Sequence, residues 1–106
     1  MKLMMFYFWN YSALANKYLD RTKEYYVGLS AIEQHAHWRW ITGEDAFLGE
    51  IRWIPGEPAN RPTEECGAIT ASGPGRWGQW DMHDSYCTDL RYAICEMRNK
   101  DCLWLC

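Results

Sequence analysis

Between residues 57 and 84 the chain gathers five carboxylates and an asparagine: Glu57, Asn60, Glu64, Glu65, Asp81 and Asp84. Carboxylates and amides are hard donors, and calcium takes about six to eight such oxygens at roughly 2.3–2.6 Å. The plainer alternative is a solvated acidic pair at Glu64-Glu65 and a turn residue at Asp81. Other chemistries are thinner. His35 and His37 stand as His-x-His ahead of a strand, but two imidazoles with no third ligand make a poor transition-metal site. Cys87 and His83 are a nucleophile and a base by type, yet no third group orients the base. Glu57 and Glu64 imitate a glycosidase pair in a chain with no deep cleft to hold a distorted sugar. Gly73-Pro74-Gly75 lacks the Lys and the helix that a phosphate-binding loop needs. The residues therefore predict a binding module and no enzyme.

These side chains sit in or beside a stretch, Glu44 to Glu65, that has little periodicity and is interrupted by three Pro and two Gly. A long irregular loop in a small domain is where function concentrates. Around it the pattern predicts strands. Tyr25-Tyr26-Val27-Gly28-Leu29 is aromatic and β-branched, and His37-Trp38-Arg39-Trp40-Ile41 alternates polar with apolar up to Gly43. Short strands are also expected at Cys66–Thr70, Trp77–Asp81 and Arg91–Glu96. Leu14, Tyr18 and Leu19 share one face of an amphipathic helix over Tyr11–Tyr18. A competing reading of the same region is a signal peptide: Lys2, the apolar run Leu3–Trp9, then Ala13-Leu14-Ala15 as a small-x-small cleavage site. In that case Asn10-Tyr11-Ser12 is a glycosylation sequon.

With 106 residues the chain is expected to form a single domain, 1–106, with an apolar N-terminal segment (1–9) and a Cys-containing tail (97–106). Charged residues are 24% and hydrophobic ones 48%, which fits a folded globule. A net charge of −3 argues against nucleic acid and anionic membranes as partners. No run of 18 apolar residues exists, so no membrane span is expected. Seven Trp are present. Trp38, Trp40, Trp53 and Trp80 read as core, while Trp77 and Trp104 are freer to stack on a sugar or to act as a protein hot spot. Five Cys is an odd number, so one lacks a partner within the chain.

The order of blocks carries a resemblance. Tyr26-Val27-Gly28-Leu29 comes first, then Trp38-Arg39-Trp40 with Gly43, then Trp53-Ile54-Pro55-Gly56-Glu57-Pro58 and Glu64-Glu65-Cys66. Trp80, Asp84 and Cys87 follow, and Tyr92-Ala93-Ile94-Cys95-Glu96 closes the series. It resembles the C-type lectin-like domain, with the first block like that family's "WIGL" strand and the last like its "ICE" strand. The resemblance implies an α+β fold of small antiparallel sheets with one helix and a long irregular loop, shortened at its N-terminus and with a sheet edge left exposed there. It implies a Cys66–Cys87 disulfide, worth about 3 kcal/mol for a loop of this length, and hence a secreted or extracellular setting. Cys95 then has no family partner upstream, which leaves it free, paired with Cys102 or Cys106, or bridged to another chain.

For function the resemblance implies calcium held by Glu57, Glu64 and Asp84, with a carbohydrate or glycoprotein bound by Glu57, Asn60, Glu64, His83 and Asp84. The Glu57–Pro58 bond resembles the family's cis-proline. A Glu-Pro-Asn triplet there goes with mannose-type sugars, but this chain has Ala59 in the third position, which offers no oxygen. Counted back from Cys87, the Asn of the family's "WND" falls on His83 and its Asp on Asp84. Counted forward from Trp80, Asp81 replaces that Asn. The expectation is an extracellular module that binds carbohydrate, calcium-dependent and mannose-preferring. The alternative is a calcium-independent, protein-binding or structural domain that has lost the sugar.

Overall fold

The computed structural model describes residues 16–47, 49, 51–72, 79–97 and 104–105. The N-terminal apolar segment, the sequon, most of the expected helix, Trp77, Cys102 and Cys106 lie outside these residues. Of the expected helix, residues 16–18 form a helical turn.

Strands form in each region where the sequence predicts one, with bounds moved by more than one residue in all but the first. β1 (Tyr25–Ser30) lies between β2 (Arg39–Trp40) and β3 (Glu64–Ser72), and β3 pairs on its other side with β4 (Gln79–Tyr86). The β3–β4 ladder runs antiparallel from Glu64 opposite Tyr86 to Ser72 opposite Gln79. Both strands are longer than the Cys66–Thr70 and Trp77–Asp81 segments expected from composition. The second strand is shorter than expected. A turn closed by His37 N–H to the Gln34 carbonyl precedes it, and one closed by Gly43 N–H to the Trp40 carbonyl follows it. Gly43 sits at φ +95°, a conformation that costs glycine nothing.

The expected closing strand Arg91–Glu96 divides in two. β5 (Tyr92–Ala93) pairs with β1, and β6 (Glu96–Met97) pairs antiparallel with β7 (Trp104–Leu105) in a separate two-stranded sheet. The β1–β5 pairing is parallel, a departure from all-antiparallel sheets. β5 flanks Tyr25 and Tyr26 of β1, while β2 flanks Leu29 and Ser30. Ile41 and Ile94 add N–H bonds to the Gly28 and Tyr26 carbonyls. Among the described residues, β1 is therefore bordered on both sides, not left as an open edge.

Val27, Leu29, Trp38, Trp40, Ile51, Ile69, Trp80 and Met82 form the core, with Trp38, Trp40 and Trp80 each at most 2% exposed. Trp53 is half-buried and packs edge-on against Trp38, ring centroids 5.4 Å apart. Gly67 is required where β1 and β3 come closest. A Cβ there would stand 3.0 Å from the Leu29 Cβ and 3.2 Å from its carbonyl oxygen.

The long loop is moored to the free edge of β4. Ile54 N–H bonds the Met82 carbonyl, and Met82 N–H bonds the Arg52 carbonyl. Arg52 also reaches Asp81, Nε to Oδ1 at 2.6 Å, and Ser72 Oγ donates to the other Asp81 oxygen. This mooring delivers the segment after Ile54 to the end of β4 that carries Asp84. The Cys66–Cys87 disulfide ties the same end of the sheet, its Cα atoms 5.2 Å apart across a separation of 21 residues. Cys95 is also disulfide-bonded.

Candidate functional site

The loop turns at Gly56, with φ +89°, and passes through a cis Glu57–Pro58 bond as the resemblance implies. It then reaches Asn60, a non-glycine residue in the left-handed region at φ +52°, where Asn is among the few side chains that settle readily. This path points the backbone N–H groups of Ala59 and Asn60 at the buried carboxylate of Asp84. Ala59 N–H donates to Asp84 Oδ1 at 3.1 Å, and Asn60 N–H donates to Oδ2 at 2.7 Å. Ala59 N–H also lies 3.3 Å from Glu57 Oε2.

Glu57 and Asp84 meet directly, and their acidities part. The hydrogen bond to Asp84 holds Glu57 above the ordinary carboxyl range, with burial and the Asp84 charge pushing the same way. Burial also pushes Asp84 up. The hydrogen bonds from Glu57, Asn60 and Ala59 outweigh it and leave Asp84 below its usual range. Of the two acids, Glu57 is therefore the one that holds a proton to higher pH and Asp84 the one that ionises first, the usual outcome for two acids sharing one site.

The structure brings Glu57, Asn60 and Asp84 together. Glu64, the first residue of β3, is largely shielded at 12% side-chain exposure and lies 3.9 Å from Arg61 Nη1. It is not part of a solvated acidic pair. His83 goes elsewhere. Successive side chains of a strand point to opposite faces, so His83 leaves the face of Asp84 and brings Nε2 to 3.4 Å from Glu24 Oε1. There Glu24 also holds Arg91, whose Nε donates at 2.7 Å. Asp81, an alternative for the "WND" amide, is a strand residue held by Arg52 and not a turn residue. His37 bonds Asp45 at 2.8 Å, and His35 is exposed.

Sequence reasoning missed the partner of Asn60. The Trp38 indole Nε1–H donates to Asn60 Oδ1 at 3.1 Å, across 22 residues. No local pattern announces such a bond.

Tested as a cation site, the arrangement suits a hard ion in charge, since two carboxyl groups in contact favour either a proton or a cation between them. The oxygen supply is thin. Both Asp84 oxygens already accept backbone N–H groups, the Asn60 oxygen accepts from Trp38, and Ala59 offers none. Among the described residues no three His, Cys, Asp or Glu side chains group as a metal cluster. No described helix is long and apolar enough to cross a membrane.

The sheet, the moored loop and the Cys66–Cys87 bridge together are those of a C-type lectin-like fold. Residues 2–97 match the family model for the lectin C-type domain, and the chain belongs to the C-type lectin domain family. This is a family of carbohydrate-binding lectins and receptors, not of enzymes. The mouse C-type lectin domain family 6 member A is 36% identical over 81 residues, covering 76% of this chain and 36% of that protein. The chicken hepatic lectin is 35% identical over 77 residues, covering 72% of this chain and 34% of that one. Among solved structures, the C-type lectin domain of murine dendritic cell inhibitory receptor 2 in complex with N-glycan superposes with a TM-score of 0.58 at 25% identity. That match covers 76% of this chain and 59% of that domain. The chain thus spans about a third of the length of the curated relatives it matches.

Proposed function

We propose that this chain is an extracellular glycan-recognition module whose ligand seats on the turn of residues 57–60 against Asp84. The single observation that carries the reading is the closed unit of Glu57, Ala59, Asn60 and Asp84. Here a buried carboxylate, a second carboxyl group and an amide lie side by side on a loop moored to a rigid sheet. Sugar hydroxyls both donate and accept, so they need acceptors and donors together. The mouse relative solved with an N-glycan supports an N-glycan as the first ligand to try, and the Glu57-Pro58 pair supports a mannose-type preference.

Calcium, where it binds, would be held by Glu57 and Asp84, with Glu64 joining only by moving toward them from the start of β3, and would supply a positive centre for two neighbouring hydroxyls. The residues of this chain set the rest. Asp84 must be ionised, which its two backbone N–H donors favour, and so must Glu57, whose second charge the contact with Asp84 opposes. The disulfides support an oxidising, extracellular setting.

The experiment is a melting curve with calcium and with chelator, followed by N-glycan binding under both conditions. A ligand of the native state at a hundred times its Kd adds about 2.7 kcal/mol of stability. A calcium-dependent upward shift with glycan binding supports the full reading. Glycan binding in chelator supports recognition without the ion, which the thin oxygen supply favours as the second reading. No glycan binding in either condition contradicts the proposal.

A further inference from the structure

The geometry points to Trp38 as the residue that fixes the hydrogen-bonding polarity of this site, by holding the Asn60 amide so that it meets a ligand as a donor. The inference rests on the glycan-recognition reading and adds a positioning residue to it.

An indole N–H can only donate, so the Asn60 atom 3.1 Å from Trp38 Nε1 is the amide oxygen and not the nitrogen. This settles the amide orientation, which the two-sided shape of an Asn side chain ordinarily leaves open. Trp38 is a rigid anchor. It is 2% exposed, stacks edge-on against Trp53, and its carbonyl accepts Ala46 N–H at 2.9 Å. Asn60 is fixed from its other end by its backbone N–H on Asp84 Oδ2 at 2.7 Å. Pinned at both ends, the side chain keeps two amide N–H groups. Among the described residues none accepts from them.

The consequence is chemical. Glu57 and Asp84 supply the acceptors of the turn, and Asn60 is its single amide side chain because Ala59 offers nothing. With its oxygen held by Trp38, Asn60 adds donors beside those acceptors, and the site can both give and receive a hydrogen bond from one hydroxyl. Without the indole N–H the amide is free to flip and present its oxygen. The site would then offer acceptors where the hydroxyl needs a donor.

The test separates polarity from packing. Benzothienylalanine at position 38 keeps the bicyclic shape and replaces the N–H with sulfur, and Trp38→Phe is its genetically encoded counterpart. Asn60→Asp keeps an oxygen for Trp38 but removes both N–H donors. Each protein is titrated with an oligomannose-type N-glycan, with calcium and with chelator. Melting temperature is the control for folding, and the Trp38 indole and Asn60 side-chain amide signals are followed by nitrogen–proton NMR. The expected result is roughly fivefold or greater weakening for the benzothienylalanine protein at unchanged melting temperature, and tenfold or more for Asn60→Asp. The Asn60 amide signals should shift when the indole N–H is removed, and the Trp38 indole signal should shift in Asn60→Ala.

Wild-type affinity in the benzothienylalanine protein, or NMR signals indifferent to these changes, would overturn the assignment. If the wild type binds no glycan, the glycan reading fails. The NMR arm then still decides whether Trp38 orients Asn60.

Discussion

Asp84 accepts the backbone N–H of Asn60 at 2.7 Å and of Ala59 at 3.1 Å, and its contact with Glu57 raises the pKa of Glu57 and lowers its own, so two acids and one turn form a single closed unit. The ionisation of either acid is therefore linked to the folding of the turn that would carry the ligand.

Two opposite pH dependences follow. Glu57 lies above its unfolded range when folded, so its contribution is complete below an unfolded pKa of about 4.3 and is lost as pH rises through its raised folded value. Asp84 lies below its unfolded range, so its contribution is present above about 3.9 and disappears as pH falls through its lowered folded value. Urea unfolding across pH should show a stability loss on both sides. In Glu57→Gln the loss at rising pH should flatten and the acid-side loss should remain. An unchanged high-pH limb in that variant would count against the proton assignment.

The Cys66–Cys87 bridge closes a separation of 21 residues, worth about 3 kcal/mol in the chain-entropy model. Replacing both cysteines with serine should remove about that much in urea unfolding. The first region to open should be the end of the β3–β4 ladder near Glu64 and Tyr86, read by hydrogen exchange. Uniform exchange throughout the ladder would show that the bridge does not act locally.

Gly67→Ala should destabilise by about 1–3 kcal/mol, because the added Cβ meets Leu29 Cβ at 3.0 Å and its backbone oxygen at 3.2 Å. The backbone contact cannot be relieved by a rotamer change. Gly43 and Gly56 have open space around them. Alanine there pays only for positive φ, about 1–2 kcal/mol, and a denaturation series compares the three sites.

Arg91 binds Glu24 at 2.7 Å, Asp89 at 3.0 Å and the Tyr26 hydroxyl at 3.2 Å, with 17% of its side chain exposed. Burial works against its charge, but these hydrogen bonds hold its pKa above the ordinary arginine value. Arg91→Met keeps the bulk and removes the cation, leaving Glu24 to His83 alone. A loss of about 1–3 kcal/mol is expected in urea unfolding, and Arg91→Lys, which keeps a cation beside Glu24, should lose less. An equal loss in both variants would mean that the charge of Arg91 does not matter.

Much of this was legible in the sequence. The ordered blocks from Tyr26 to Glu96 identify the fold, and β1 and β3 fall on the runs expected to be strands, while β4 overlaps the expected Trp77–Asp81 only at Gln79–Asp81. The core roles of Trp38, Trp40 and Trp80 and the Cys66–Cys87 pairing also agree with expectation. The site was legible only in part. Glu57 and Asp84 can be marked by motif position, but their opposite pKa shifts depend on a contact across 27 positions that no spacing rule predicts. His83 stands next to Asp84 in the same motif, yet the pleat of β4 puts it beside Glu24, and only the strand assignment reveals this. Asp81 has the composition of a turn residue, but Arg52 arrives from the loop to neutralise it within a strand. The parallel β1–β5 contact depends on where the chain returns after Cys87, and two residues of strand are too short to leave a pattern.

The central claim is that a glycan is recognised at the turn of residues 57–60 against Asp84. Its most direct measurement is N-glycan titration of the wild type, Asp84→Asn and Glu57→Ala, each shown to be folded by its melting curve. The account predicts measurable binding by the wild type and a loss of tenfold or more in both variants, since each removes an acceptor worth about 1–3 kcal/mol. Undiminished binding in both folded variants, or none in the wild type with or without calcium, would contradict it.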